Sequence, residues 1–145
     1  YRDAKYVYPK HKTANGKKDF WARGDGWVFA GLAKVLKDMP KDCKYRPLFL
    51  KHYRDMAKEI IKCQQPEGYW TRSMLDPQHA PGPETSGTAF FTYGLLWGIN
   101  NGYLKEKTYL PAALKGWEYL STTALQSSGK IGYIQPIGEK AIPGQ

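Results

Sequence analysis

Tyr45 and Pro47 recur as Tyr109 and Pro111, Leu50-Lys51 as Leu114-Lys115, and Gly68-Tyr69 as Gly132-Tyr133, all at one constant offset along the chain. Self-similarity at such a spacing marks stacked supersecondary units, because one unit cannot bury its own apolar face. Apolar periodicity tells what each unit contains. Over 26–37, Trp27, Val28, Phe29, Leu32, Val35 and Leu36 cover most of a helix surface, and Pro40 stops it. A helix apolar nearly all round is an inner one. Pro47 then suits the first helical position. Phe49, Tyr53, Met56, Ala57 and Ile60 share one face, opposite Lys51, Asp55, Lys58 and Lys62. This predicts an amphipathic outer helix, closed by Pro66.

The second unit repeats the plan. A buried helix opens at Glu84-Thr85-Ser86 and runs to an Asn101-Gly102 stop, with no charge between Glu84 and Lys105. An amphipathic helix follows around 111–124. The charge-free stretch carries Thr, Asn and glycines, and its apolar part is shorter than the ~20 residues of a membrane span. Gly94 and Gly98 would let a neighbouring helix approach closely. The expected fold is all-α, with residues 1–145 forming two helical hairpins of a toroid or solenoid that two hairpins cannot close. Segment 131–134 is a short strand candidate, and Tyr6-Val7-Tyr8 suggests a strand or hairpin within the long loop 1–20.

The long loops 1–20, 65–83 and 126 onward lead to the starts of inner helices, so they gather on one face, where a site is expected. The centre of that face is Phe20-Trp21-Ala22-Arg23-Gly24-Asp25-Gly26-Trp27. Asp25 stands where an N-cap is wanted, and Arg23 and Trp27 lie near the positive end of the helix, suited to hold an anion and stack a sugar ring. A balance of 22 Lys and Arg against 13 Asp and Glu, net +9, favours an acidic partner. The 11 Tyr and 5 Trp suit a core or a carbohydrate groove. The basic stretch 10–18 matches no nucleic-acid motif, so a solvated loop near an anionic sugar is preferred to nucleic-acid binding.

Cys43 and Cys63 flank the outer helix, more than about 20 Å apart at helical rise, and are read as free thiols. They favour a reducing compartment without excluding a periplasm. There is no initiator Met or signal peptide, and both ends have the look of cut ends. His52 and His79 are lone histidines without metal-ligand spacing, so neither a metal nor a cofactor is assigned.

The stretch 20–27, followed by Ala30-Gly31-Leu32-Ala33 and by Glu84-Thr85-Ser86-Gly87-Thr88-Ala89, resembles the unsaturated rhamnogalacturonyl hydrolases of glycoside hydrolase family 105. The unsaturated glucuronyl hydrolases of family 88 are the next nearest. The resemblance runs from about Phe20 to the C-terminus. It implies an (α/α)6 barrel of which this chain is roughly the later half, the rest of the barrel being its partner. It also implies an acidic oligosaccharide substrate ending in an unsaturated uronic acid. In such enzymes an aspartate protonates C4 of the C4=C5 bond and directs water to C5, and the resulting hemiketal collapses to release the next sugar. That aspartate is expected upstream of Tyr1. Arg23 carries over as a contact to the uronyl residue and Trp27 as its packing neighbour. The family also places a histidine upstream of this arginine, at a spacing near that of Arg2, with His11 closer.

Structural alternatives stand beside each of these roles. Asp25 as an N-cap is preferred to Asp25 as a catalytic acid; Glu84 is a ligand contact or a helix-start residue; Ser86 is a cap with a place on the rim. Trp21 and Trp27 belong to the binding rim or to the core. The rival functions are an ordinary glycosidase working through Asp25 and Glu84 and a non-catalytic α-solenoid. Missing hairpins should leave Phe90, Leu95 or Trp97 on an exposed apolar flank.

Overall fold

The computed structural model describes residues 5 and 7–138. Four helices carry the fold: α1 (Ala22–Asp38), α2 (Arg46–Ile60), α3 (Thr85–Asn100) and α4 (Glu106–Glu118). A 3-10 turn, Ile61–Cys63, extends α2, and a π-helical turn, Tyr119–Ala124, extends α4. Helix α3 packs on both α1 and α4, and α1 packs on α2. Among the described residues the extended backbone amounts to three isolated bridges, Trp21 with Ser73, Thr71 with Pro83, and Leu125 with Ile131. The candidate at 131–134 therefore reduces to a bridge at Ile131, and of Tyr6-Val7-Tyr8 the first lies outside the described residues while the others form a bend and turn.

Helix α1 starts earlier than its capping signal suggested. Its N-cap is Trp21, which makes no side-chain cap bond, and Asp25 lies in the first turn. The cap role assigned to Asp25 is thus replaced by tertiary capping: the Ala22 N–H donates to the Arg72 carbonyl at 2.9 Å, satisfying an orphan donor from another loop. At α3 the cap is Glu84, whose carboxylate accepts the N–H groups of Ser86 and Gly87. Ser86 is therefore not the cap but a first-turn residue. Helix α4 begins at Glu106, placing Pro111 inside it, whereas Pro47 stands in the first turn of α2. The repeated Tyr-x-Pro thus occupies different places in the two units.

The α1–α3 seam is close because glycine supplies the space. A Cβ on Gly94 would strike the Phe29 ring, and one on Gly87 would come within 2.8 Å of the Ala22 carbonyl carbon. Phe29, fully buried, stacks on Tyr53 with ring centroids 4.8 Å apart, and the Tyr53 hydroxyl donates to the Gly94 carbonyl at 2.6 Å. Burial raises the Tyr53 phenol far above its ordinary value, so it stays a neutral donor. Trp70, in the loop between α2 and α3, is also fully buried; it donates to the Ile60 carbonyl at 2.7 Å and meets Phe91 edge-on.

Leu95 is fully buried and Phe90 and Trp97 are half-buried, so the expected exposed flank lies elsewhere. Gly94 and Gly98 let the neighbouring Phe29 and Tyr53 side chains press in, and Leu95 joins that core. Apolar exposure falls on α1, at Trp27 (63%), Val28 (53%) and Val35 (42%), and also at Leu48 on α2, Tyr93 on α3 and Leu114 and Trp117 on α4. Cys43 and Cys63, at opposite ends of α2 and its extension, are free thiols. Among the described residues no helix is long and apolar enough to cross a membrane.

Candidate active site

The starts of α1 and α3 come together, and the loops before and after them are stitched across the junction. Met74 N–H donates to the Phe20 carbonyl, Glu84 N–H to the Trp70 carbonyl, and Thr85 N–H to the Tyr133 carbonyl. Loops 65–83 and 126–138 therefore meet at the head of these helices, beside Trp21.

Glu84 is the hub. It is completely buried, and besides the two helix-start N–H groups it accepts the Ser86 hydroxyl at 2.8 Å and the Gln135 N–H at 3.4 Å. Arg23 NH2 lies 3.4 Å from its Oε1. Arg23 also donates through Nε to Ser86 Oγ at 2.9 Å, through NH1 to the Pro136 carbonyl at 3.1 Å, and through NH2 to the Gln135 carbonyl. Trp21 completes the group: its indole N–H donates to Gln135 Oε1 at 2.9 Å, and the Arg23 guanidinium stands 5.7 Å from its ring centroid. Segment 132–136 thus forms a strap bound to both helix starts.

Of the residues expected from sequence, Arg23, Trp21, Glu84 and Ser86 converge. Trp27 lies one turn along α1, its ring 4.5 Å from Phe90 and its body in solvent. His11 is bonded through Nε2 to Asp19 Oδ2 at 3.0 Å, and Asp19 also accepts from Ser73 Oγ at 2.9 Å. Its ring is thus anchored in the loop cluster under 73–79. Arg2 lies outside the described residues. Arg23 makes four hydrogen bonds within the chain through its three nitrogens, which leaves little of the guanidinium fork open.

Sequence reading passed over Arg72, Gln135 and Tyr119. Arg72 is buried and donates to the Pro81 carbonyl at 2.6 Å, while its Nε has no partner among the described residues. Burial lowers the proton affinity of its guanidinium, and the nearby Glu84 carboxylate counteracts that. Tyr119 shares a 2.8 Å hydrogen bond with Thr85 Oγ1, and burial raises its phenol. Two guanidinium groups acting on one carboxylate leave the junction net positive. The only prior signal for Arg72 was its place in an aromatic loop just before the helix-start motif.

A second polar cluster fixes the approach to the site. Asp76, almost fully buried, accepts from Asn15 Nδ2 at 2.9 Å, and Ala14 N–H donates to His79 Nδ1 at 3.0 Å. The Thr13 hydroxyl, then Asn15, hold the Asp76 carboxyl below its ordinary range. A carboxyl depressed by folding stabilises fully above its unfolded pKa and loses that contribution as pH falls through the folded value. Asp76→Asn should therefore lower the urea midpoint at pH 7, and its gap from wild type should narrow as pH falls below about 4. A gap constant with pH would remove the ionised role. Among the described residues no group of three or more His, Cys, Asp or Glu is placed to hold a metal.

With this geometry in view, comparisons with known proteins are specific. The profile of Glycosyl Hydrolase Family 88 matches residues 1–145. A curated relative from Formosa agariphila, an unsaturated 3S-rhamnoglycuronyl hydrolase, is 40% identical over 98% of this chain and 38% of its own length. A solved family 88 glycosyl hydrolase from Bacteroides vulgatus is 69% identical, with a TM-score of 0.94 over 100% of this chain and 42% of that one. A solved structure described as a polysaccharide lyase is 73% identical, with a TM-score of 0.93 over 100% of this chain and 41% of that one. The chain thus spans about two-fifths of the length of these relatives. Its helices are hairpins of the (α/α)6 barrel of such enzymes. By its profile and its relatives, the chain belongs to glycosyl hydrolase family 88.

Proposed function

We infer that the whole protein removes a terminal 4,5-unsaturated uronyl residue from an acidic oligosaccharide by hydrating its C4=C5 bond. The observation that carries this reading is the net positive junction of Arg23 and Arg72 around Glu84, edged by Trp21, at the head of α1 and α3. A uronate carboxylate is attracted there and meets the open part of the Arg23 guanidinium, while Trp27, one turn on, offers an exposed ring face for the sugar. The relative named an unsaturated 3S-rhamnoglycuronyl hydrolase supports the same substrate class. An acid delivers a proton to C4, and water adds at C5. The hemiketal opens at its C5–O5 bond to a ketone, and the hemiacetal left at C1 collapses to an aldehyde as the bond from C1 to the glycosidic oxygen breaks, so that the next sugar leaves as an alcohol. That acid is assigned to the part of the barrel preceding this chain. The flank at Val28 and Val35 is assigned to the seam with that part.

Glu84 is a poor general acid for the rival mechanism. It is out of contact with solvent, and its oxygens are already engaged by donors from the helix start and the strap, so neither faces a glycosidic oxygen. The relative described as a polysaccharide lyase raises a second reading, elimination rather than hydration. One ultraviolet measurement on the full-length protein separates them. Hydration of an unsaturated oligosaccharide removes the absorbance of the conjugated double bond, and elimination from a saturated uronate polymer creates it. Hydrolysis of saturated sugars with no absorbance change would point to the ordinary glycosidase. We expect loss of absorbance, and a fall in kcat/KM of about ten- to a hundredfold in Arg23→Ala once a matched thermal midpoint shows that it is folded.

A further inference from the structure

We propose that Tyr8, Lys12 and Lys18 form a second binding site, one that takes a sulfated or carboxylated sugar residue of a polysaccharide chain. The proposal rests on the carbohydrate reading above and extends it to a surface outside the Arg23–Glu84 junction. The Lys12 and Lys18 ammonium groups lie 5.7 Å and 5.8 Å from the centroid of the Tyr8 ring. That ring is 44% exposed. Beside it runs an open groove of about 520 Å³, lined by Tyr8, Gly16, Lys17, Lys18 and Leu75. Lys18 and Leu75 also line the next groove, which carries Asp25, Asp55 and Glu59, so an anionic residue is held on the loop side of Lys18.

Three features distinguish this patch from a solvated run of charge. First, its cations are uncommitted: among the described residues, neither Lys12 nor Lys18 has an ion-pair or hydrogen-bond partner for its ammonium group, and no carboxylate lines the groove. The other lysine–tyrosine surface, around Lys44 and Tyr45, is different. There Arg46 is spent on the Leu36 and Met39 carbonyls, Arg54 on the Tyr103 carbonyl, and Asp42 shares the groove. Second, the loop is held in shape. Thr13 N–H donates to the Lys17 carbonyl, Lys17 N–H to Thr13 Oγ1, Asn15 to Asp76 and Ala14 to His79, while His11 is bonded to Asp19. A ligand need not order the backbone that binds it.

Third, the chemistry selects a sugar. Ammonium groups poised over a tyrosine ring pair with an anionic substituent, and the part of the ring left exposed meets the apolar C–H face of the pyranose that carries it. A single such ring with two cations offers no run of stacking platforms along a strand, which single-stranded nucleic acid requires.

Affinity electrophoresis of the full-length protein tests this, in native gels containing dextran sulfate, polygalacturonate or neutral dextran. Retardation is expected in both anionic gels and not in neutral dextran. The apparent Kd should rise about tenfold in the double variant Lys12→Ala/Lys18→Ala and about fivefold in Tyr8→Ala. A double variant with the same charge loss elsewhere, Lys105→Ala/Lys107→Ala, should stay within about twofold of wild type. Stronger retardation in one anionic gel identifies the substituent as sulfate or carboxylate. Equal losses in the two double variants with none in Tyr8→Ala would show general attraction between charges and overturn the proposal. So would poly(U) competing as well as dextran sulfate at equal charge. Turnover of an unsaturated disaccharide, too short to span both surfaces, should be unchanged in the Lys12→Ala/Lys18→Ala variant. If wild type binds the polyanion through these residues yet leaves the disaccharide intact, the reading of the Arg23 site fails and the surface site stands.

Discussion

Glu84→Ala should cost about 3–5 kcal/mol of stability, because it removes a buried charge and leaves its partners uncompensated. The carboxylate is wholly buried and receives the Ser86 and Gly87 N–H groups, the Ser86 hydroxyl, the Gln135 N–H and Arg23. Alanine would expose the head of α3 to a void, free the strap at 132–136 and strip Arg23 of its counter-charge. Glu84→Gln separates these effects. The amide keeps one acceptor, but its NH2 must face donors, so an intermediate loss of about 1–3 kcal/mol is expected. Urea unfolding on the full-length protein measures both. A loss under about 1 kcal/mol in the alanine variant would mean that the network contributes little and that the geometry of Arg23 is set by other contacts.

The second large effect is expected at Trp70. Trp70→Ala should destabilise by about 3–5 kcal/mol, the range for emptying a packed aromatic site. The ring fills the space between Phe91 and the seam with α4, and its N–H satisfies the Ile60 carbonyl at the end of α2. Trp70→Phe retains most of the packing and deletes the hydrogen bond, so a loss of about 1–2 kcal/mol should remain. If the two variants were equal, the indole N–H would be the dominant contribution and the packing argument would fail.

Trp70 also shows where sequence reading ran out. The helices were legible because their apolar residues repeat at helical spacing and their stops carry Pro or Asn-Gly. The loops offered no such period, and a loop tryptophan does not reveal whether it faces solvent or the core. At α1 the cap signal misled. A local rule assigned Asp25, while the orphan N–H of Ala22 found the Arg72 carbonyl, whose position depends on tertiary folding. Pro111 misled for a related reason, since a helix begun at Glu106 tolerates one absent N–H when its other bonds and packing hold.

The candidate site was legible to a similar extent. Helix-start chemistry pointed to Arg23, Glu84 and Ser86, and these do meet. Arg72 and Gln135 escaped notice because each reaches the junction only when loops distant in sequence close over it. Trp27 was read as a rim or core residue; within this chain it is 63% exposed, with its ring against Phe90.

The strap bears on how such a sequence can drift. Arg23 and Glu84 come from separate stretches yet meet side chain to side chain, so replacing either leaves the other with an unmet donor or acceptor, whereas Gln135 reaches both through its backbone and only Trp21 through its side chain. Substitutions of Arg23 and Glu84 have to arrive together or be compensated, and in a set of descendants these two positions would change as a correlated pair, with Trp21 and Gln135 as a second one. Trp27 lies outside that network, so its replacement breaks none of these bonds. Divergence in the sugars accepted would begin there, while the strap and the two helix starts it binds stay the same.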